Sequence, residues 1–235
     1  MESITLNKLN YNELELLKGN QISDDVDIDV RQLTFNNNAQ RAFLIREMLK
    51  NGGRIDNQIE QDLGCLKLIQ VPSSECCDIE DDCYLLRTEL RLPQFIETDG
   101  NNGITRVGPI NKLNIPFSYI PYNQAIYSGE GKYNKNVIFS FLLNGYIYLK
   151  TKDEVVGLIE YINVRGVLED PTEAANFNKC GEDGPCFSYD SRYPVHGWMI
   201  PIITDRVLKQ FGVSLNIPKD ASNDSKDNVD TNNRK

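Results

Sequence analysis

Apolar positions change their spacing twice along the chain. Between residues 39 and 63 they recur every three or four residues. From 65 to 168 they alternate or run together, and from 193 to 211 the helical spacing returns. The pattern predicts helices, then strands, then a helix. That order describes an α+β fold, with an N-terminal helical hairpin and a C-terminal helix packed with a mainly antiparallel β-sheet.

The first helical signal is short, from Asn10 to Leu17, with Leu14 and Leu17 on one side. Asn38 is placed to cap a second stretch, Ala39 to Leu49, in which Ala42, Ile45 and Leu49 share a face. Asn51-Gly52-Gly53 ends it. Ile55, Ile59 and Leu63 repeat the spacing, so a further helix is expected from Arg54 to the stop at Gly64. This completes the hairpin.

Strands are expected at 66–71, 83–92, 104–107, 137–143, 146–150 and 157–168. The second has Tyr84, Leu86, Thr88, Leu90 and Leu92 on one face. Asn144-Gly145 predicts a tight hairpin. The last strand is long enough to need a bulge near Gly166. Asp170 caps a short helix that has Pro171 at its first position. Tyr193-Pro194 introduces the final helix, through about Phe211, with Met199, Ile202, Ile203, Arg206, Val207, Gln210 and Phe211 along its inner side.

Three regions follow: an acidic segment 1–30, one α+β domain 31–218, and a polar tail 219–235 too poor in apolar residues to order itself. The run Asp24 to Asp29 lacks the glycine and closing glutamate of a calcium loop, so it reads as a solvated entry segment. With 235 residues and 40% hydrophobic content the chain supports one ordinary core. No window approaches the roughly 18 consecutive apolar residues of a membrane span. Met1-Glu2-Ser3 opens no signal peptide, so synthesis in the cytoplasm is expected. A net charge of −9 disfavours a surface that grips nucleic acid or an anionic membrane throughout.

Candidate chemistry is thin. One histidine excludes a multi-histidine metal site. The cysteines are Cys65, Cys76, Cys77, Cys83, Cys180 and Cys186, with no C-x-x-C spacing. A zinc module is the alternative reading, but the spacing favours small buried groups without metal. Disulfides are not expected in a chain folded in reducing cytosol, and Cys180 and Cys186 read as a thiol pair on a surface loop. Arg41, Arg46, Lys50 and Arg54 on the hairpin suggest a DNA-reading helix-turn-helix, yet no base-reading cluster accompanies them. Packing is the expectation. His196 lies near Asp190 and Ser191, though neighbours on one segment do not make a triad, and the helix-start histidine is expected to cap or pack. The carboxylates Glu80-Asp81-Asp82 and Glu169-Asp170 sit in turns. No nucleotide, phosphate or hydrolase motif occurs, so no cofactor and no enzymatic activity are expected.

Residues 114–133 carry Pro116, Pro121, Tyr119, Tyr122, Tyr127 and Tyr133. They read as a long ordered excursion. Stiffened by proline and rich in tyrosine, it suits a contact surface, and Tyr119, Pro121, Tyr122 and Tyr127 are the candidate interface residues.

Several segments taken together resemble a known family. They include Arg41 to Gly52, Ser74-Glu75-Cys76-Cys77, Leu86-Arg87-Thr88 and Ile104-Thr105-Arg106-Val107-Gly108-Pro109. Ile120-Pro121-Tyr122, Ile147-Tyr148-Leu149-Lys150, Val164 to Pro171, Tyr193-Pro194-Val195 and Pro218-Lys219-Asp220 continue the set. From about 31 to 224 the chain is similar to virion structural proteins of crAss-like and related phages, which form head–tail connector rings in the neck. The resemblance implies a homo-oligomeric ring of about twelve copies beneath the portal protein. Its other partners would be further neck or tail ring proteins. DNA would pass its channel without specific binding, repelled by acidic walls.

Overall fold

The computed structural model describes residues 4–18, 28–72, 84–98, 101–111, 115–128, 137–151, 159–181 and 184–214. The acid run at 24–27, the turn holding Cys76, Cys77, Cys83 and Glu80-Asp81-Asp82, Gly100, Tyr133 and the 219–235 tail lie outside them. Helices α1 (Leu6–Lys18) and α2 (Val30–Lys50) come first, and strands β1 (Gln61–Asp62), β2 (Leu66–Gln70) and β3 (Tyr84–Thr88) follow. A small hairpin of β4 (Glu97–Thr98) and β5 (Asn101–Asn102) precedes β6 (Ile104–Pro109), β7 (Ser118–Tyr119) and the one-turn helix α3 (Tyr122–Ala125). Strands β8 (Phe139–Leu143), β9 (Tyr146–Thr151) and β10 (Tyr161–Gly166), a 3-10 helix (Pro171–Asn176) and α4 (Met199–Ser214) complete the order. The α+β class expected from the spacing is the one observed.

The sheet runs β1-β10-β2-β3-β9-β8-β7, with β6 on the other side of β10. Its pairings are antiparallel except β7 with β8. It curls until the Phe117 N–H, just before β7, donates to the Val107 carbonyl of β6 at 2.8 Å. Alternation along the strands then gives two faces. Leu86, Ile147, Leu149, Ile162 and Val164 point into the main core with Ile45 of α2 and Ile203 of α4. Leu85, Phe141 and Tyr148 point the other way, into a small cluster with Ala125 of α3. The helical layer and α3 therefore lie on opposite faces of the sheet.

The hairpin at Asn144-Gly145 forms as its sequence demands, with φ of 53° and 82° at the two turn residues. The register of β10 against β6 shifts between Arg165 and Gly166, the bulge expected there. Asp170 caps the 3-10 helix by accepting the Thr172 N–H at 2.8 Å. Helix α4 begins at Met199, later than Tyr193-Pro194 suggests, and of its expected inner side Met199, Ile203, Val207 and Phe211 are buried, Ile202 and Arg206 half-buried, and Gln210 exposed.

Three expectations are corrected. The helix proposed from Arg54 to Leu63 does not form. The Asp56 carboxylate accepts the Gln58 N–H, a local turn that competes with a helix, and Gln61–Asp62 then pairs with β10 as β1. Ile59 and Leu63 are buried from this turn-and-strand path. The helical pair is instead α1 with α2, and no helix-turn-helix exists at residues 39–63.

Asn38 does not cap. Helix α2 starts about two and a half turns earlier, capped by Asp29, whose side chain accepts the Arg31 N–H at 2.9 Å. The asparagine run inside α2 is held by tertiary partners that outweigh poor helix propensity. Asn37 donates to Asn10 and Glu13 of α1, and Asn38 donates to Asp170 and accepts from the buried Tyr193 hydroxyl.

The third correction concerns sulfur. Cys65 and Cys180 form a disulfide with their Cα atoms 5.0 Å apart, and Cys186 does not pair with Cys180. Gly64, at φ 69°, makes the approach possible, since a Cβ there would sit 2.0 Å from the Asn178 carbonyl oxygen. The Cys65 N–H donates to that same carbonyl, which places the two cysteines side by side.

Arg41, the first basic residue of the suspected DNA-reading set, is fully buried. Its guanidinium donates to the carbonyls of Pro194 at 2.6 Å, Leu168 at 2.8 Å and Ile59 at 3.4 Å, and lies over the Tyr193 ring. Burial brings its pKa down to about 10, while nearby Tyr193 and Asp170 favour the charged form. Arg46 pairs with Glu169. Both arginines tie α2 to the chain around it.

Glu13 is buried between α1, α2 and α4, accepting from Asn37 at 2.6 Å. Burial raises its pKa to about 7, and hydrogen bonds from Asn37 and Thr204 offset only part of that. In this range the folded chain holds a proton that the unfolded chain has released. Stability contributed by Glu13 is therefore complete below the ordinary carboxylate range and is lost as pH rises through about 7. The slope approaches about 1.4 kcal/mol per pH unit at its steepest. Denaturant titrations at pH 5, 6, 7 and 8 should show this fall, and Glu13→Gln should flatten it. An unchanged slope in the variant would assign the fall to another group.

Candidate assembly surface

The 115–128 segment is built outward from the sheet edge. Its backbone joins β8 in parallel, with Ser118 opposite Phe139 and Tyr119 opposite Ser140. The Ile120 N–H extends the ladder to the Ser140 carbonyl at 2.9 Å. Pro121 then supplies φ −61° and starts α3, whose single turn lies on the outer face of the sheet. The Tyr122 ring meets Phe141 at 5.8 Å, and Phe141 stacks on Tyr148 at 5.4 Å.

A buried lysine fixes the end of this turn. Lys150 lies on the outer face of β9 and is 2% exposed. Its ammonium donates to the Ala125 carbonyl at 3.0 Å and the Ile126 carbonyl at 3.2 Å. The Ser128 hydroxyl also donates to Ala125, at 2.7 Å. A cation at the carbonyl end of a helical turn satisfies groups that have no partner within the turn. The segment is thus pinned by a tilted aromatic contact, a buried ammonium and a parallel strand.

The four expected interface residues divide into two kinds. Tyr119 and Tyr122 are partly buried and hold the segment down, whereas Pro121 and Tyr127 face outward. Tyr127 is 79% exposed, and Ile115, which the tyrosine-led reading passed over, is 87% exposed. The described residues 115–128 include no charged side chain. This uncharged ridge exposes Ile115, Pro116, Pro121 and Tyr127 together with the polar Ser118, Asn123 and Gln124, a mixture that suits a protein contact better than chemistry.

The other candidate chemistry does not converge. His196 Nδ1 faces Gln58 Oε1 at 3.3 Å and Asp56 at 3.8 Å, and its ring stacks on Trp198. Ser191 donates instead to the Ser188 carbonyl, and Asp190 accepts from Asn7. Histidine, serine and aspartate are therefore not assembled into a relay. A cleft of about 680 Å³ beside the disulfide is lined by Gln61, Asp62, Lys179 and Cys186. Its carboxylates are already engaged, Asp62 by Arg165 and Asn163 and Glu60 by the Thr105 hydroxyl. Cys65 is held in its disulfide, so it is not available to the zinc set with Cys76, Cys77 and Cys83, which lie outside the described residues. Among the described residues no helix is long and apolar enough to cross a membrane.

Two comparisons bear on the chain as a whole. A family model described as phage tail ring protein 2 matches residues 8–229. Ring protein 2 of Bacteroides phage crAss001 is 27% identical over 228 residues, covering 96% of this chain and 98% of that protein.

Proposed function

Because the chain belongs to the phage tail ring protein 2 family, and is thereby a structural component of a phage particle, we propose that it forms a ring of about twelve copies at the portal–tail junction. The ring links the portal protein to further neck or tail rings and encloses part of the DNA channel. It catalyses nothing and needs no cofactor or metal. A net charge of −9 per copy lets the passing polyanion slide without sticking. Residues 31–218 act as the connector domain together with α1, and the polar 219–235 tail is the extension. Leu6 and Leu9 of α1 are buried in the same core, which corrects the reading of 1–30 as a solvated entry segment.

The observation that carries this reading is the family match together with the pinned ridge of Ile115, Pro121 and Tyr127. In it, Tyr119 and Tyr122 hold the ridge and Pro121 and Tyr127 meet the neighbour. A double variant, Ile115→Ser with Tyr127→Ala, touches exposed positions only. It should melt with the parent within about 0.5 kcal/mol of stability. It should nevertheless fail to enter particles, giving heads without tails. Normal titre from the variant would remove the ridge from the interface. A cryo-EM map of the particle without a copy of this protein at the portal–tail junction would overturn the placement itself.

A further inference from the structure

The face that α1 buries is apolar at one end and polar at the other. Its buried residues run Leu6, Leu9, Asn10 and Glu13 along one side of the helix. The apolar end is also tied by backbone. Thr5 bridges to Arg192, the Asn7 N–H donates to the Tyr189 carbonyl at 3.2 Å, and the Ile4 carbonyl accepts the Tyr193 N–H at 2.9 Å. The polar end lies about two turns on from Leu6. There Asn10 donates to Thr34 at 2.8 Å, and Asn37 of α2 donates to Asn10 at 2.9 Å and to Glu13 Oε2 at 2.6 Å. Leu14 and Leu17 beside this socket are only half-buried.

Donors and acceptors do not balance in the socket. Glu13 and Asn37 are both fully buried, yet Glu13 Oε1 and Asn37 Oδ1 have no donor among the described residues. Both orphan atoms are acceptors, and they belong to a pair already joined by one hydrogen bond. The groups around the carboxyl are Asn10 from α1, Asn37 from α2, the Thr204 hydroxyl from α4 and the Tyr193 hydroxyl ahead of α4. None of them is a cation. A buried carboxylate without a counter-ion is costly, and a neutral acid is far less so. One proton on Oε1 removes the charge. Donated to Asn37 Oδ1, it also satisfies the second orphan acceptor. We propose that α1 is a proton-gated arm, whose residues 10–18 dock on α2 and α4 through Glu13 as a neutral acid and are released when that carboxyl ionises, while Leu6 and Leu9 stay seated. The device does not depend on the ring. The released carboxyl titrates near 4.5 and the docked one near 7. Docking is therefore strongest below the ordinary carboxylate range and weakens as pH rises through about 7, by roughly fiftyfold between pH 5 and pH 8.

Native-state amide hydrogen exchange of the full chain tests the release, read residue by residue as protection factors, which remove the intrinsic effect of pH. Protection of residues 10–18 should fall roughly fiftyfold between pH 5 and pH 8. At each pH these amides should be roughly tenfold or more less protected than those of Ile45 in α2 and Ile203 in α4, and less sensitive to low urea, because they open without the rest of the fold. The Glu13 carboxyl carbon, labelled with carbon-13 and assigned through its own backbone, should titrate near pH 7 in the parent protein. Glu13→Gln places an amide where the neutral acid stood and should keep residues 10–18 protected without the pH dependence. Equal protection and equal urea sensitivity in 10–18, Ile45 and Ile203 would show that α1 opens only with the whole fold and is no separate arm. A Glu13 carboxyl that titrates in the ordinary carboxylate range, or an undiminished pH dependence in Glu13→Gln, would remove the proton from the latch and overturn the proposal.

Discussion

Arg41→Leu should destabilise the protein by about 3–5 kcal/mol, the range for breaking a buried charged hydrogen-bonding group. Leucine fills part of the volume and removes the cost of burying a cation. That substitution is often harmless when both members of an ion pair are replaced together. Here the partners are the backbone carbonyls of Pro194, Leu168 and Ile59, which no substitution removes. Each is left buried without its donor, at about 1–3 kcal/mol apiece. The carbonyls come from three distant parts of the chain, so the loss loosens α2 from the segment after β10, from the approach to α4 and from the turn before β1. Arg41→Lys should recover part of the stability, because one ammonium serves fewer of the carbonyls that a guanidinium fork spans. Urea unfolding at neutral pH measures both. A loss under about 1 kcal/mol for the leucine variant would mean that the carbonyls find other donors.

The same arginine marks the boundary of what the sequence made legible. Strands β2, β6, β8 and β9, the Asn144-Gly145 turn and the inward side of α4 followed from local spacing and turn chemistry, because each satisfies its own residues in place. The 39–49 part of α2 followed too, but its first nine residues and the 54–63 stretch did not. The Asn36-Asn37-Asn38 run reads locally as a helix start, yet Asn37 and Asn38 find their partners on α1, at Asp170 and at Tyr193. Ile55, Ile59 and Leu63 keep helical spacing by coincidence, with a turn and strand burying the last two. Partners more than a hundred residues away, as for Arg41 with Leu168 and Pro194, leave no local trace. The candidate surface was half legible. Proline and tyrosine density located the 115–128 segment, but which side chains turn outward depends on its parallel pairing to β8 and on Lys150 beneath it.

Reduction of the Cys65–Cys180 disulfide should lower stability by about 2–4 kcal/mol, the typical contribution of a native bridge. The bond joins residues 115 apart, a long loop for the unfolded chain to keep closed, and the chain-entropy account assigns such loops the upper part of the range. The native side is already arranged. Gly64 against Asn178 and the Cys65 N–H on the Asn178 carbonyl hold the two sulfur-bearing residues together with or without the bond. Reduction should therefore leave the fold and the α2–α4 layer intact at room temperature while moving the unfolding midpoint. Denaturation with and without dithiothreitol measures the difference. Cys65→Ser should match the reduced protein and lose its response to dithiothreitol, whereas Cys186→Ser should keep the full response. A parent protein whose midpoint ignores dithiothreitol, with free thiols counted to verify reduction, would show that the bridge adds nothing beyond contacts that already close the loop.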